Sequence, residues 1–170
     1  MLIRREQPGD EAAIRGVTAA AFAKGDVEPV EAALVDALRA DKGWIPELSL
    51  VATDDQAIIG HVVCTRGTIG GKPALGLGPL SVSPARQGHG VGSALMHAVL
   101  AAAEALGEPA VVLLGSPAYY DRFGFRPCGD HGIVPPQAGW EPYFQVRTLT
   151  GYDPGLRGAF AYAAPFADLD

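Results

Sequence analysis

The chain has 170 residues, about half of them apolar, and a net charge of -6. That length favours one domain whose core needs neither a disulfide framework nor a structural metal. The acidic balance, with no basic run longer than Arg4-Arg5, argues against a nucleic-acid binder, and no apolar run reaches the ~20 residues of a bilayer span.

Residues 1–5 read as a first strand, ended by the turn Gln7-Pro8-Gly9-Asp10. Arg4, Arg5, Glu6 and Asp10 leave no room for the apolar region of a signal peptide. Asp10 is expected to cap a helix whose inner face carries Ala13, Ile14, Val17 and Ala21, with Gly25 and Asp26 as its breakers. A second helix follows Pro29, with Val30, Leu34 and Leu38 on one face. Residues 48–53 and 57–66 read as strands joined by the polar tip Asp54-Asp55-Gln56, a hairpin signature. A turn at Gly70-Gly71-Lys72-Pro73 leads to a strand over residues 74–82.

A glycine-rich loop then opens a helix over residues 90–106, with Val91, Leu95, Ala98, Val99 and Ala102 inward and Gly107 closing it. Residues 110–114 form a continuous apolar run, as in a strand buried on both faces. A short helix spans residues 117–123 and stops at Gly124. Beyond it, residues 125–128 and 144–149 read as strands, Pro135-Pro136 as a loop, and the tail from Tyr152, rich in Gly, Pro and Ala, as loosely packed. The whole reads as a mixed α/β domain with helices over a mostly antiparallel sheet. Cys64 and Cys128 imply no disulfide framework, so a reduced cytoplasmic protein is expected. His61, His89, His97 and His131 lack metal-ligand spacing, and no metal site is expected.

The chemistry concentrates at residues 80–95, where a strand delivers the chain through Gln87, Gly88, His89, Gly90, Val91 and Gly92 to a helix. A helix N-terminus presents unpaired N–H groups and a positive dipole end, and glycines let an anion approach the backbone. The physics therefore predicts an anion site, most plausibly for a pyrophosphate. As a bare pattern, turn chemistry is an equal reading. No Gly-Lys-Ser/Thr follows, which excludes a P-loop, and Ser93 stands where a dinucleotide fingerprint needs its third glycine.

This segment resembles the cofactor motif of the GNAT N-acetyltransferases, Gln/Arg-x-x-Gly-x-Gly/Ala, with Gln87, Gly90 and Gly92 at its defined positions. Residues 113–125, ending Tyr120-Asp121-Arg122-Phe123-Gly124-Phe125, are similar to the family's second hallmark. The wording Gly115-Ser116-Pro117-Ala118-Tyr119-Tyr120 and residues 131–136 are closest to its YhbS-like branch. The resemblance covers residues 1–150, with the core motifs in 74–125, and implies one domain of the α/β (α+β) acyl-CoA N-acyltransferase fold over 1–170.

It implies acetyl-CoA as cosubstrate and an amine acceptor attacking directly in a ternary complex. The backbone of Leu80, Ser81 and Val82 would pair with the pantetheine arm. The amides of Gln87, Gly88, His89, Gly90, Val91 and Gly92 would hold the pyrophosphate, with hydroxyls from Ser93 and Ser116 adding to the cofactor site. Tyr120 would protonate the departing thiolate, and the Val82 amide would polarise the thioester carbonyl. Gly78-Pro79 stands where many members carry a basic carboxylate, so that base is missing. Arg86 would meet a phosphate or solvent, with equal weight, while His89 as a solvated loop residue is favoured over phosphate contact. Residues 24–29, Trp44, Trp140 and residues 129–143 would border the acceptor. Asp26, Glu28, Asp130 and Glu141 there give an acidic bias that points to a cationic amine. A homodimer is compatible with the family. A non-catalytic acyl-CoA sensor and an interaction module whose loop is only a turn are the competing classes.

Overall fold

The computed structural model describes residues 1–169. Strand β1 (Leu2–Arg5) leads into α1 (Glu11–Ala21) and α2 (Val30–Arg39). The hairpin strands β2 (Ser49–Asp54) and β3 (Ala57–Ile69) follow, then β4 (Lys72–Val82). Helix α3 (Val91–Ala105) crosses to β5 (Ala110–Leu114), and the short α4 (Pro117–Tyr120) passes into one 3₁₀ turn. The last elements are β6 (Arg126–Pro127), β7 (Ile133–Val134), β8 (Phe144–Thr148) and β9 (Gly158–Ala161).

The sheet order is β1-β2-β3-β4-β5-β8-β6, with β9 joining β3 and β7. Its pairings are antiparallel except β4 with β5 and β7 with β9. The tip of the first hairpin turns on Asp55 and Gln56 at φ of 48° and 68°, and the next on Gly70 and Gly71 at 56° and 81°. The longest helix, α3, lies on one face of the sheet, where Leu95, Met96, Val99 and Ala103 pack with Leu50, Val62, Leu75 and Leu113. Helices α1 and α2 cover the other face, with Ile14 and Val35 on Val51, and Leu34 and Leu38 on Val63.

Several expectations need correction. Asp10 makes no capping bond to α1. Its carboxylate instead accepts the Gln7 amide at 2.7 Å and an Arg4 ion pair, bracing the turn before the helix. Ala13 and Val30 are exposed, and Thr18 and Val35 take the buried places beside Ile14 and Leu34. The tail is not loose. β9 pairs with the far end of β3, and Leu156, Phe160 and Ala163 are buried. The Phe160 ring meets Phe144 and Tyr162 edge-on, at 5.5 and 4.7 Å between centroids. Gly67 and Gly76 make this possible, because a Cβ on either would strike Phe160 or Tyr162 within 3 Å.

The α1/α2 face also carries a buried polar network. Glu6, Ser49 and His61 form a buried polar file, with Arg39 of α2 in an ion pair to Glu6 at 2.5 Å. Ser49 has one hydrogen and gives it to Glu6, so the His61 Nε2–H must donate to the Ser49 oxygen at 2.8 Å. Burial, then the nearby Arg39 charge, pushes His61 down to about 3, which keeps the ring neutral.

Candidate active site

β4 and β5 run parallel yet share only two register pairs, Leu75 with Val111 and Gly76 with Val112. Beyond Gly76, β4 keeps β3 as its partner to Val82, and among the described residues no strand covers its other edge. The register moves from Cys64↔Leu77 to Val62↔Leu80, so Gly78 and Pro79 together oppose Val63. Such a bulge bends the strand. The two strands open as a V, and the β4 arm offers free backbone to an extended ligand that carries amides.

The alternation of the strand tells which groups face the gap. The Ser83 amide donates back to Ile59 of β3 at 2.8 Å, so the amide one residue earlier, on Val82, points away from β3 into the V. The Val82 carbonyl lies on that same side, and Gln87 Nε2 donates to it at 3.0 Å.

At the mouth of the V, Gly88 and Gly90 turn the chain with φ of 77° and 86°, a region side chains rarely adopt. Gly90 sits at the N-cap position of α3 and supplies no side chain to satisfy the first turn. The backbone amides of residues 88–93 find no acceptor among the described residues. Consecutive unpaired amides at the positive end of a long helix form an anion cradle. Gly92 is close-packed: a methyl group there would lie 2.7 Å from the Tyr119 hydroxyl.

Across the gap, α4 starts just after β5. The Tyr120 ring lies over Gly115, where an added Cβ would be 2.4 Å from Tyr120 Cε2. That contact explains glycine at this position, since any larger residue would displace the ring. Tyr119 and Phe125 hold Tyr120 edge-on at 4.8 and 5.9 Å. Burial, then the neighbouring Tyr119, pushes the Tyr120 phenol up to about 12, so it is fully protonated at neutral pH. Its hydroxyl has no protein partner among the described residues.

Residues 46–127 match the acetyltransferase (GNAT) domain. The chain is 37% identical to the N-acetyltransferase YhbS of Escherichia coli K12, over 93% of its own length and 92% of that protein's. The chain belongs to the GNAT acetyltransferase family. The structure of E. coli YhbS in complex with CoA superposes with a TM-score of 0.89 at 34% identity, covering 98% of this chain and 91% of that one. A GNAT acetyltransferase from Brucella melitensis in complex with acetyl-CoA superposes at 0.79 with 40% identity, covering 97% of both chains. The GNAT fold and the acyltransferase class expected from residues 80–95 and 113–125 are thus correct.

Within this GNAT frame the residues singled out from sequence fall into three groups. Leu80 and Val82 are half-buried against the α3-side core. Ser81 is sealed on the opposite face, where its hydroxyl donates to Thr18 Oγ1 at 3.3 Å, and by the same alternation its amide and carbonyl face His61 of β3, leaving Leu80 and Val82 to offer backbone to the V. In the loop, Gln87, Gly88, His89 and Gly90 are exposed, Val91 is a buried anchor of α3, and Gly92 and Ser93 are half-buried. The His89 ring lies 2.9 Å from the Gln87 carbonyl and braces the loop. The third group is at α4, where the Ser116 carbonyl accepts the Tyr119 and Tyr120 amides while its hydroxyl makes no capping bond.

Other candidates are occupied elsewhere. Arg86 is held by Asp54 at 2.6 Å. Glu28 is gripped by both terminal and inner nitrogens of Arg15, and Glu141 accepts the Gly139 amide at 2.8 Å, so half of the acidic bias is already engaged. Trp44 packs with α2 and takes the Arg39 guanidinium 5.4 Å over its ring, and Trp140 leans on Phe144. Cys64 and Cys128 are both free and buried, and burial pushes both thiols up.

Sequence reasoning missed Tyr119 and Arg122. Tyr119 reads as a core aromatic, yet its hydroxyl reaches the glycine loop, and Arg122 stacks on its ring at 4.9 Å. Their i, i+3 spacing on one helical turn is the signal that could have revealed them.

Proposed function

We propose that this chain transfers an acetyl group from acetyl-CoA to a primary amine by direct attack in a ternary complex. The observation that carries this reading is the run of unpaired amides at residues 88–93, placed where β4 and β5 part. The loop amides from Gly88 to Gly92, with Ser93, hold the pyrophosphate, while the Gln87 amide is taken by the Pro84 carbonyl at 3.4 Å and Gln87 serves through its side chain, which braces the loop on Val82. The free edge of β4 at Leu80 and Val82 pairs with the pantetheine amides, and Ser116 closes the site from α4. CoA-bound relatives of the same fold support the choice of cofactor.

The thioester carbonyl lies in the gap, where the Val82 amide can donate to its oxygen as negative charge develops. The amine nitrogen forms the new C–N bond, the tetrahedral intermediate gives up its N–H proton to water and collapses, and the C–S bond breaks to release thiolate. Tyr120 donates its O–H to that sulfur. With the phenol pushed to about 12 against ~8.5 for an ordinary thiol, full proton transfer is uphill, and the hydrogen bond carries the main effect. Gly78 and Pro79 bring no carboxylate to the nitrogen. The amine must therefore enter already neutral, and kcat/KM should rise with pH toward the pKa of the acceptor itself.

The test is thiol release from acetyl-CoA over a panel of primary amines, with wild type and Tyr120→Phe. Tyr120→Phe should lower kcat by ~10²-fold and leave the Kd for acetyl-CoA within about twofold. An unchanged kcat would remove Tyr120 from the mechanism.

A further inference from the structure

The last residue of β5 differs from the rest of its strand. Ala110, Val111, Val112 and Leu113 are buried, whereas Leu114 is 42% exposed. Val111 and Leu113 pack on the α3 side, and Ala110 and Val112 on the other. By that alternation the Leu114 side chain stands on the face away from α3. Its cross-strand partner is Phe144, buried on that same face, and Trp140 leans on the Phe144 ring at 6.3 Å. A lone exposed leucine is ordinary on a surface. This one continues a sealed strand at the place where the arms of the V stand apart.

The α3 side of the gap is taken up by α3 itself, the proposed phosphate cradle and the Tyr120 ring over Gly115. An acceptor therefore reaches the thioester from the opposite face, past Leu114 on the β5 arm. On the β4 arm, the Ser81–Thr18 hydrogen bond sets the end of α1, and the connection that leaves it, beside the gap. That connection and the start of α2 expose Val27 and Val30, at 79% and 55%. Charge on this rim is engaged or offset: Glu28 is held by Arg15, and Lys24 accompanies Asp26. Both rims are thus apolar in character. An apolar entrance penalises a charged ammonium, and a site with no carboxylate at Gly78-Pro79 needs its amine neutral.

We infer that Leu114 sets the acceptor specificity, and that the acceptor is a primary amine on an apolar body, an alkylamine rather than a polyamine. This rests on the acetyl-transfer reading above and names its substrate class. The carbon chain of the amine lies on the Leu114 side chain, and its nitrogen faces the thioester between the arms.

The experiment follows thiol release from acetyl-CoA with hexylamine and with 1,5-diaminopentane, which is of similar length but ends in a second cation. Both amines titrate near pH ~10, as a lysine side chain does, so one pH serves both. The proteins are wild type, Leu114→Ala and Leu114→Asp, and because Leu114 is exposed both variants keep the fold. Wild type should prefer hexylamine by about tenfold or more in kcat/KM. Leu114→Ala should raise KM for hexylamine about fivefold with a smaller change in kcat, the mark of lost apolar binding. Leu114→Asp should bring the preference to about one or reverse it. Acetyl-CoA affinity, titrated alongside, should stay within about twofold in every case. Equal or better use of the diamine by wild type, a preference that survives in Leu114→Asp, or turnover of neither amine by protein that binds acetyl-CoA would overturn the assignment. Failure to bind acetyl-CoA at all would instead sink the acetyl-transfer reading beneath it.

Discussion

The two faces of this sheet handle polar groups in opposite ways. Under α1 and α2, charged and polar side chains mostly answer one another, with Arg39 Nη2 and His61 Nδ1 left over: Arg15 with Glu28 and Asp36, Arg39 with Asp36 and Glu6, Glu6 with Ser49, and Ser49 with His61. At the mouth of the V, on the α3 side, the amides of residues 88–93 and the Tyr120 hydroxyl find no protein acceptor among the described residues. Satisfied polar groups fix a structure, while unsatisfied ones positioned by a rigid frame wait for a ligand. Variants of the first region should change stability and leave cofactor affinity alone, and variants of the second should do the reverse.

The largest effect is expected at Glu6. Its side chain is 8% exposed and that of Arg39 20%, so Glu6→Ala leaves a mostly buried guanidinium with Asp36 alone and takes the acceptor from the Ser49 hydroxyl. Urea unfolding should show a loss of ~3 kcal/mol, with acetyl-CoA affinity within about twofold of wild type. A tenfold loss of affinity would join the two regions into one and break the contrast.

His61 gives the pH dependence. The unfolded chain takes up a proton at His61 near pH 6.5, and the folded chain refuses it until about pH 3. Within that window the unfolded state holds more protons, so stability falls as pH drops. The ring faces Glu6, Ser49 and Arg39. Between pH 7 and pH 4 the loss attributable to His61 should be ~3 kcal/mol or less. Denaturation midpoints for His61→Leu should vary less with pH over that interval. A variant curve parallel to wild type would contradict the burial of a neutral ring.

Arg15→Ala should produce the smallest change. Its ion pairs with Glu28 and Asp36 lie at the surface, with side-chain exposures of 39%, 49% and 41%, so water and salt screen them and the denaturation midpoint should barely move. The finer readout is the segment between α1 and α2. Freeing Glu28 restores a carboxylate near the expected acceptor side, and KM for cationic amines should then fall while KM for neutral ones stays put.

Much of this was legible in the chain itself because the decisive signals are local. Strand, glycine loop and helix follow one another within residues 74–105, and Gln87, Gly90 and Gly92 mark the turn without any long-range information. The α4 hallmark is local too. What stayed hidden depends on distance along the chain. Glu6 meets Ser49 across 43 positions, and nothing at either site announces the other. β9 is only four residues long and sits among Gly and Pro, so its burial of Phe160 shows only when β3 is beside it. Asp10 carried the right residue type for a cap, but Arg4 and the Gln7 amide compete for its carboxylate and win. Tyr119 was readable as an aromatic, yet not as a neighbour of Gly92, because the approach of α4 to the loop is set by how β5 leaves the V.

The measurement closest to the centre of this account is calorimetric titration of acetyl-CoA into wild type and Gly90→Glu. Gly90 has open space around its Cβ position and a φ of 86°, so the substitution strains one residue by ~1–2 kcal/mol and places a carboxylate among the free amides. The account predicts saturable binding to wild type and none to a folded Gly90→Glu protein. Undiminished binding by that variant, or no binding by the folded wild type, would contradict the assignment of residues 88–93 as the phosphate cradle.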